Sequence, residues 1–105
     1  MTFDEIDEMI SEIGLPYSYH HFAEGENLES PFILWNVPED NNFSADNMVY
    51  FSTKQLEICL YTVIRNPALE HEIEQILRNH KIFYTKNCTW VRSERLYEVR
   101  YDMEV

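Results

Sequence analysis

The residues of this 105-residue chain that could do chemistry are few, and their spacing serves it badly. His20 and His21 are adjacent, so on a strand they point to opposite faces and on a helix they share none. One metal ion is poorly served by such a pair. His71 and His80 are nine positions apart, which is not the i, i+4 spacing with which a helix offers two imidazoles to zinc. Cys59 and Cys88 are too few for a disulfide framework, and nothing in their spacing from the histidines predicts a shared ligand set. Glu70 and Glu74 lie one helical turn apart. Acid–base work by them would need a pocket that drives their pKa values apart, and the plainer expectation is a solvated helix face. No Ser/His/Asp or Cys/His motif is present. Gly14 and Gly25 are the only glycines, which leaves no glycine-rich loop to cradle a phosphate. The expectation is a chain with no catalytic residue, no metal and no cofactor.

The elements that would position these residues can be read from periodicity. Residues 2–13 have the pattern of an amphipathic helix. Thr2 and Glu5 have capping-box spacing, and Phe3, Ile6, Met9, Ile10 and Ile13 fall on one face. Gly14 suits the left-handed position after the helix, and Pro16 blocks continuation. Residues 15–30 read as a connector, aromatic in its first half and polar in its second. Residues 31–37 read as a short buried strand. The turn formers of 38–47 predict a loop or a bent hairpin arm, of the kind that orders on contact with a partner.

A second strand begins at 48–51 and a third runs over 55–64. In the third, Leu56, Ile58, Leu60 and Thr62 alternate with Glu57, Cys59, Tyr61 and Val63, and apolar character on both faces marks a central strand. Asn66-Pro67 is a helix start, with Asn at the cap and Pro in the first turn. Leu69, Ile73, Ile76 and Leu77 supply that helix's core stripe. Residues 81–91 and 96–105 form a hairpin that turns at Arg92-Ser93-Glu94-Arg95. Beyond the turn Tyr97, Val99, Tyr101, Met103 and Val105 alternate with polar residues. The order is α-β-β-β-α-β-β, a single α+β domain over 1–105. Its sheet is antiparallel or mixed, with about five strands and both helices on one face.

Composition narrows the class. The chain is 45% hydrophobic and 14% aromatic, enough for a core and too much for a disordered tail. It has no apolar run long enough to span a bilayer. The acidic N-terminus, Met1 to Glu5, lacks the basic head of a signal peptide. Both thiols are therefore expected free in a reducing cytoplasm.

The net charge of −11 is unevenly placed. Residues 1–50 carry eleven acids and no Lys or Arg, whereas residues 51–105 carry eight of each sign. Nucleic-acid binding needs a basic footprint, and an anionic membrane surface needs the same. The aromatic set Tyr17, Tyr19, Phe22, Phe32 and Trp35 thus reads as core or subunit interface and not as a base-stacking platform.

One resemblance covers nearly the whole chain. After the N-terminal helix come Leu15-Pro16-x-x-Tyr19-x-x-Phe22, then Pro31-Phe32-Ile33. Asn42-Phe43-x-Ala45-Asp46-Asn47-x-x-Tyr50 follows, then Glu57-Ile58-x-Leu60-Tyr61-Thr62. A short helix and an aromatic hairpin with Ser93-Glu94 at its turn and Tyr97-Glu98-Val99 beyond it complete the series. In this order the motifs resemble the tail-completion, or tail-terminator, proteins of long-tailed bacteriophages and prophages. The resemblance implies an α+β subunit that assembles as a ring, often a hexamer, at the head-proximal end of the tail tube. Such a ring stops tube growth and meets the head connector. It implies assembly in the host cytoplasm, residence in the virion, and no catalytic residues.

A ring needs a head-to-tail interface. The candidates for it are the bases Lys86, Arg92, Arg95 and Arg100 of the last hairpin, and Glu39, Asp40, Phe43 and Asp46 of the 38–47 segment. Their opposite charges would fix register between neighbours more than add affinity, and surplus acid would let DNA pass a channel without sticking. The alternative is an acidic inhibitor that mimics DNA, although a mimic needs carboxylates at about one per 1.7 Å of duplex axis, and the balanced second half does not supply them. A small enzyme with a scattered site is a third reading, which a pocket holding His20, His21 or Cys88 with shifted pKa values would support.

Overall fold

A computed structural model describes residues 1–19, 29–45 and 48–105, with backbone alone for 39–45 and 48–53. The elements are α1 (Phe3–Ser11), β1 (Tyr17–Tyr19), β2 (Phe32–Ala45), β3 (Met48–Thr62), α2 (Pro67–Asn79), β4 (Tyr84–Val91) and β5 (Leu96–Glu104). The five strands form one mixed sheet in the order β1-β2-β3-β5-β4. β1 runs parallel to β2, and every other neighbour is antiparallel. The α+β class, the element order and the central place of β3 are those expected from the sequence.

Helix α1 begins where its capping box puts it. Thr2 Oγ1 accepts from the Glu5 amide at 3.1 Å, and Glu5 Oε1 accepts from the Thr2 amide at 3.0 Å. The helix ends at Ser11, capped by Glu12, two residues short of the expected boundary, and Gly14 turns the chain at φ 81°. Helix α2 starts at Asn66, whose Oδ1 accepts from the Leu69 amide at 3.2 Å. Its C-terminus is a Schellman cap: the Ile82 amide donates to Leu77 O and the Lys81 amide to Arg78 O, both at 2.9 Å. That cap uses Lys81 and Ile82, so β4 begins at Tyr84 and not at 81.

Both helices cover one face of the sheet. Across the strands, Ile33, Leu60 and Val99 share one register row, and Trp35, Ile58 and Tyr101 share the next. Leu56 and Met103 make a third. These residues and Ile6, Met9, Ile10, Ile73 and Leu77 from the helices form one buried cluster. Burying each such side chain is worth about 1.5–3 kcal/mol, which fixes the face on which the helices lie. The opposite face carries Leu34, Asn36, Glu57, Cys59, Tyr61, Glu98, Arg100 and Asp102, and no described element covers it.

Several strand boundaries differ from the sequence expectation. Residues 17–19 form β1, an edge strand inside the expected connector; three residues are too few for alternation to register. The strands expected at 48–51 and 55–64 are one continuous β3, because Ser52, Thr53 and Lys54 interrupt the apolar pattern without breaking the ladder. Of the expected 38–47 segment, residues 38–45 take the bent-arm form, and 46 and 47 lie outside the described residues. β2 and β3 stay paired from Glu39↔Gln55 to Ala45↔Met48, with register shifts at Asn36/Glu39 and Asn42/Ser44. Pro38, which has no amide to give a ladder, lies in the first irregularity. The partners of β3 in β5 run only from Thr62 to Gln55, so the paired backbone over 39–45 and 48–53 projects past the five-stranded sheet as a two-stranded arm.

Among the described residues no helix is long and apolar enough to cross a membrane.

Candidate functional site

The carboxylates singled out on α2 do not face solvent. Glu70 is only 3% exposed, because position 70 faces β4 and β5 when Ile73 and Leu77 face the core. Arg65 grips it with two hydrogen bonds of 3.0 Å, from Nε to Oε2 and from Nη2 to Oε1. Lys86 Nζ, from β4, lies 2.8 Å from Glu70 Oε1 and 2.8 Å from Glu74 Oε2. Tyr101 Oη donates to Glu74 Oε2 at 2.9 Å.

The hydrogen bonds from Arg65 hold the Glu70 carboxyl below the usual range; burial works against them, and Lys86 adds to them. Burial pushes Glu74 up, but hydrogen bonds from Lys86 and Tyr101 outweigh it and the net shift is also down. Both acids are thus held ionised. A general acid–base pair needs values driven apart, and here both move the same way. This cluster staples α2 to the β4 edge of the sheet. The expectation of a solvated face fails because residue spacing on a helix does not reveal which acids a neighbouring strand will meet.

The thiols do not form a reactive centre either. Cys59 lies on the open sheet face between Glu57 and Tyr61, and burial, with Glu98 and Glu57 nearby, pushes its thiol up to about 12. It stays protonated at neutral pH and is a poor nucleophile. Cys88 is exposed on β4, with its side chain on the helix-bearing face in register with Val99. His71 Nε2 lies 3.4 Å from Gln75 on its own helix. His80 Nε2 lies 2.8 Å from Glu12 Oε2 and ties the end of α2 to the end of α1. His20, His21 and Phe22 lie outside the described residues. Among those described, no group of His, Cys, Asp or Glu has the arrangement of a metal site.

A cleft of about 740 Å³ lies where α2 ends beside the ends of β4 and β5. Its lining includes Met1, His80, Lys81, Phe83, Asp102 and Glu104. It offers one imidazole, already engaged by Glu12, beside the Lys81 amine and the Thr85 hydroxyl. A smaller hollow of about 260 Å³ on the open face runs past Asn36, Glu57, Cys59, Tyr61 and Arg100. There Tyr61 Oη donates to Glu98 Oε2 at 2.8 Å, and Arg100 Nε donates to Asp102 Oδ2 at 3.1 Å.

The expected interface residues are therefore not equivalent. Lys86 and Arg100 are engaged within the chain. Arg92 and Arg95 stand exposed in the β4–β5 turn, with Arg95 in a left-handed conformation at φ 54°. The backbones of Glu39, Asp40 and Phe43 lie in β2 on the arm; their side chains, and the whole of Asp46, lie outside the described residues.

Sequence reasoning missed two surface features. One is the β4 edge, bounded by Phe83 at 87% exposure and Trp90 at 47%. The other is the pair Val63 and Ile64, 57% and 77% exposed between β3 and α2. A lone Lys86 in a strand flanked by aromatics is compatible with a guarded edge, but edge position follows from sheet order and no pattern within β4 specifies it. No protein-family model matches the chain, and no curated protein matches it either.

Proposed function

We propose that this chain is a structural subunit of a long-tailed phage or prophage, a tail-completion protein that forms a ring on the tail tube and joins it to the head connector. One observation carries the reading: the two-stranded arm that runs past the sheet has no partner in the described fold. A projecting arm whose two edges are covered by no described strand is costly for a monomer, because unpaired strand edges invite association. It is useful to a subunit whose surface must meet copies of itself and a cylindrical scaffold. The resemblance of the ordered motifs to tail-completion proteins points the same way. So does the chemistry above, in which Arg65, Glu70, Glu74 and Lys86 serve to hold α2 against the sheet. Head-to-tail contacts of identical subunits close into rings when the rotation allows.

The test is genetic and visual. Deleting the gene from the phage or prophage that carries it should give heads and tails that do not join, with tubes of irregular length. Purified protein added to such an extract should restore joined particles and appear as a ring at one tube end by electron microscopy. Normal particle yield from the deletion would sink the reading. Tight inhibition of a DNA-processing enzyme by the purified chain, without any effect on tails, would replace it with the DNA-mimic alternative.

A further inference from the structure

The backbone of β4 is half used. Lys54 and Val105 exchange both of their backbone hydrogen bonds, at 2.8 and 2.9 Å. In an antiparallel ladder such pairs recur every second residue. The β5 residues in register with 54, 56, 58, 60 and 62 of β3 therefore turn their amides and carbonyls toward β3. Those between them, Leu96, Glu98, Arg100 and Asp102, turn toward β4 and pair with Val91, Thr89, Asn87 and Thr85. The amides and carbonyls of Tyr84, Lys86, Cys88 and Trp90 are left pointing outward along the sheet edge.

That edge has the chemistry of a docking strand. Exposed Phe83 and Trp90 stand near its two ends, and aromatic anchors of this kind dominate interface energetics. Edge strands are commonly protected by an inward-pointing charge that an added strand would bury. Lys86 is such a charge, yet Glu70 and Glu74 already neutralise it at 2.8 Å each, so an added strand would leave no unpaired ammonium. Residues 81–95 carry Lys81, Lys86, Arg92 and Arg95 against Glu94 alone, while Glu98 and Asp102 lie one strand further in, in register with Thr89 and Thr85.

The arm is its complement. β1 covers β2 only at Ile33, Leu34 and Trp35, so from Asn36 onward the outer edge of β2 is uncovered by any described strand. Residues 39–47 carry Glu39, Asp40 and Asp46 and no base. At about 3.4 Å per residue, 39–45 spans roughly 20 Å and β4 roughly 24 Å.

We infer that the outer edge of β2 in the arm of one copy adds as a sixth strand to the β4 edge of the next copy. The contact is heterologous, since arm and β4 are different surfaces of the same chain, and repeating it builds a head-to-tail series. It rests on the ring reading for its biological setting but makes its own claim about which surfaces meet.

The test uses the full chain. Asn42→Cys puts a thiol in the middle of the arm, opposite native Cys88 in the middle of β4. Oxidation with diamide is expected to give a ladder of disulfide-linked multimers on denaturing gels, absent from wild type and from the Asn42→Cys/Cys88→Ser double variant. Reversing Arg92 and Arg95 to Glu should reduce the ladder at least tenfold at low salt, and adding Glu39→Lys and Asp40→Lys should restore it. No ladder, a ladder indifferent to the charge swaps, or a Cys88–Cys88 dimer in wild type each overturn strand addition by the arm. Rings seen on tail tubes by a chain that gives no ladder would overturn this contact and leave the ring reading standing. Loss of tail joining as the readout belongs to the ring reading alone.

Discussion

Lys86 Nζ lies 2.8 Å from the Oε1 of Glu70, a carboxylate whose side chain keeps only 4% of its exposure. That contact bridges β4 and α2, and Arg65 closes it from the other side. Breaking a fully buried ion pair costs about 3–5 kcal/mol. Arg65 and Lys86 here retain 42% and 34% of their side-chain exposure, so water recovers part of that. Glu70→Gln is expected to lower stability by about 2 kcal/mol. The half-exposed Arg100–Asp102 pair should matter far less, and Arg100→Gln should change stability by about 0.5 kcal/mol or less. Urea unfolding of both variants decides it, and equal losses would show that burial does not separate the two pairs.

The same carboxylate sets an acid limit. The folded pKa values of Glu70 and Glu74 lie below their ordinary ones. A group with a depressed folded pKa stabilises the fold above its unfolded pKa, about 4.3 for Glu, and loses that stabilisation as pH falls through the folded value. The stability gap between wild type and Glu70→Gln should be constant from pH 7 to about pH 5 and shrink steadily below about 4.3. Urea midpoints in a pH series measure it. A gap that persists to pH 2.5 would mean the carboxylate's charge is not what stabilises the contact.

The fold was largely legible because its helices and its two long strands carry strong periodic patterns and their ends carry capping chemistry. Thr2, Glu5, Gly14, Asn66 and Pro67 each specify a boundary through a local hydrogen bond or a fixed dihedral, and all act within four residues. What escaped is non-local. β1 exists because the amide of Ile33 reaches Pro16 O at 2.9 Å, and nothing in three residues announces that. The burial of Glu70 depends on Lys86 arriving from a strand 16 positions away. The free edge of β4 depends on sheet order, which alternation within a strand does not encode. The interface candidates Arg92 and Arg95 were legible as turn residues with charge; that Lys86 and Arg100 are engaged elsewhere was not.

Lys81 holds the left-handed position of the α2 cap at φ 59°, where glycine is usual. A non-glycine residue there costs about 1–2 kcal/mol, and glycine returns some of this through its freer unfolded chain. Lys81→Gly should stabilise the protein by about 0.5–1 kcal/mol, raising the urea midpoint with no change in slope. Destabilisation would mean that the Lys81 side chain contributes more than its backbone costs.

Thr62 is 4% exposed, and its Oγ1 has no hydrogen-bond partner among the described residues. It sits at the end of β3, on the helix-bearing face in register with Tyr97, where Leu56, Ile58 and Leu60 precede it in the buried row. A buried hydroxyl without a partner costs about 1–3 kcal/mol in lost hydration. Valine has nearly the same shape without that cost, and it is equally at home in a strand. Thr62→Val is therefore expected to raise stability by about 1 kcal/mol, while Thr62→Ser, which keeps the hydroxyl and deletes the methyl, should lower it by about as much. The pair of variants separates the hydroxyl from the packing. If valine destabilises and serine does not, the hydroxyl is engaged in a hydrogen bond in solution, and Thr62 is a polar anchor of the β3–α2 link instead of a flaw in the core.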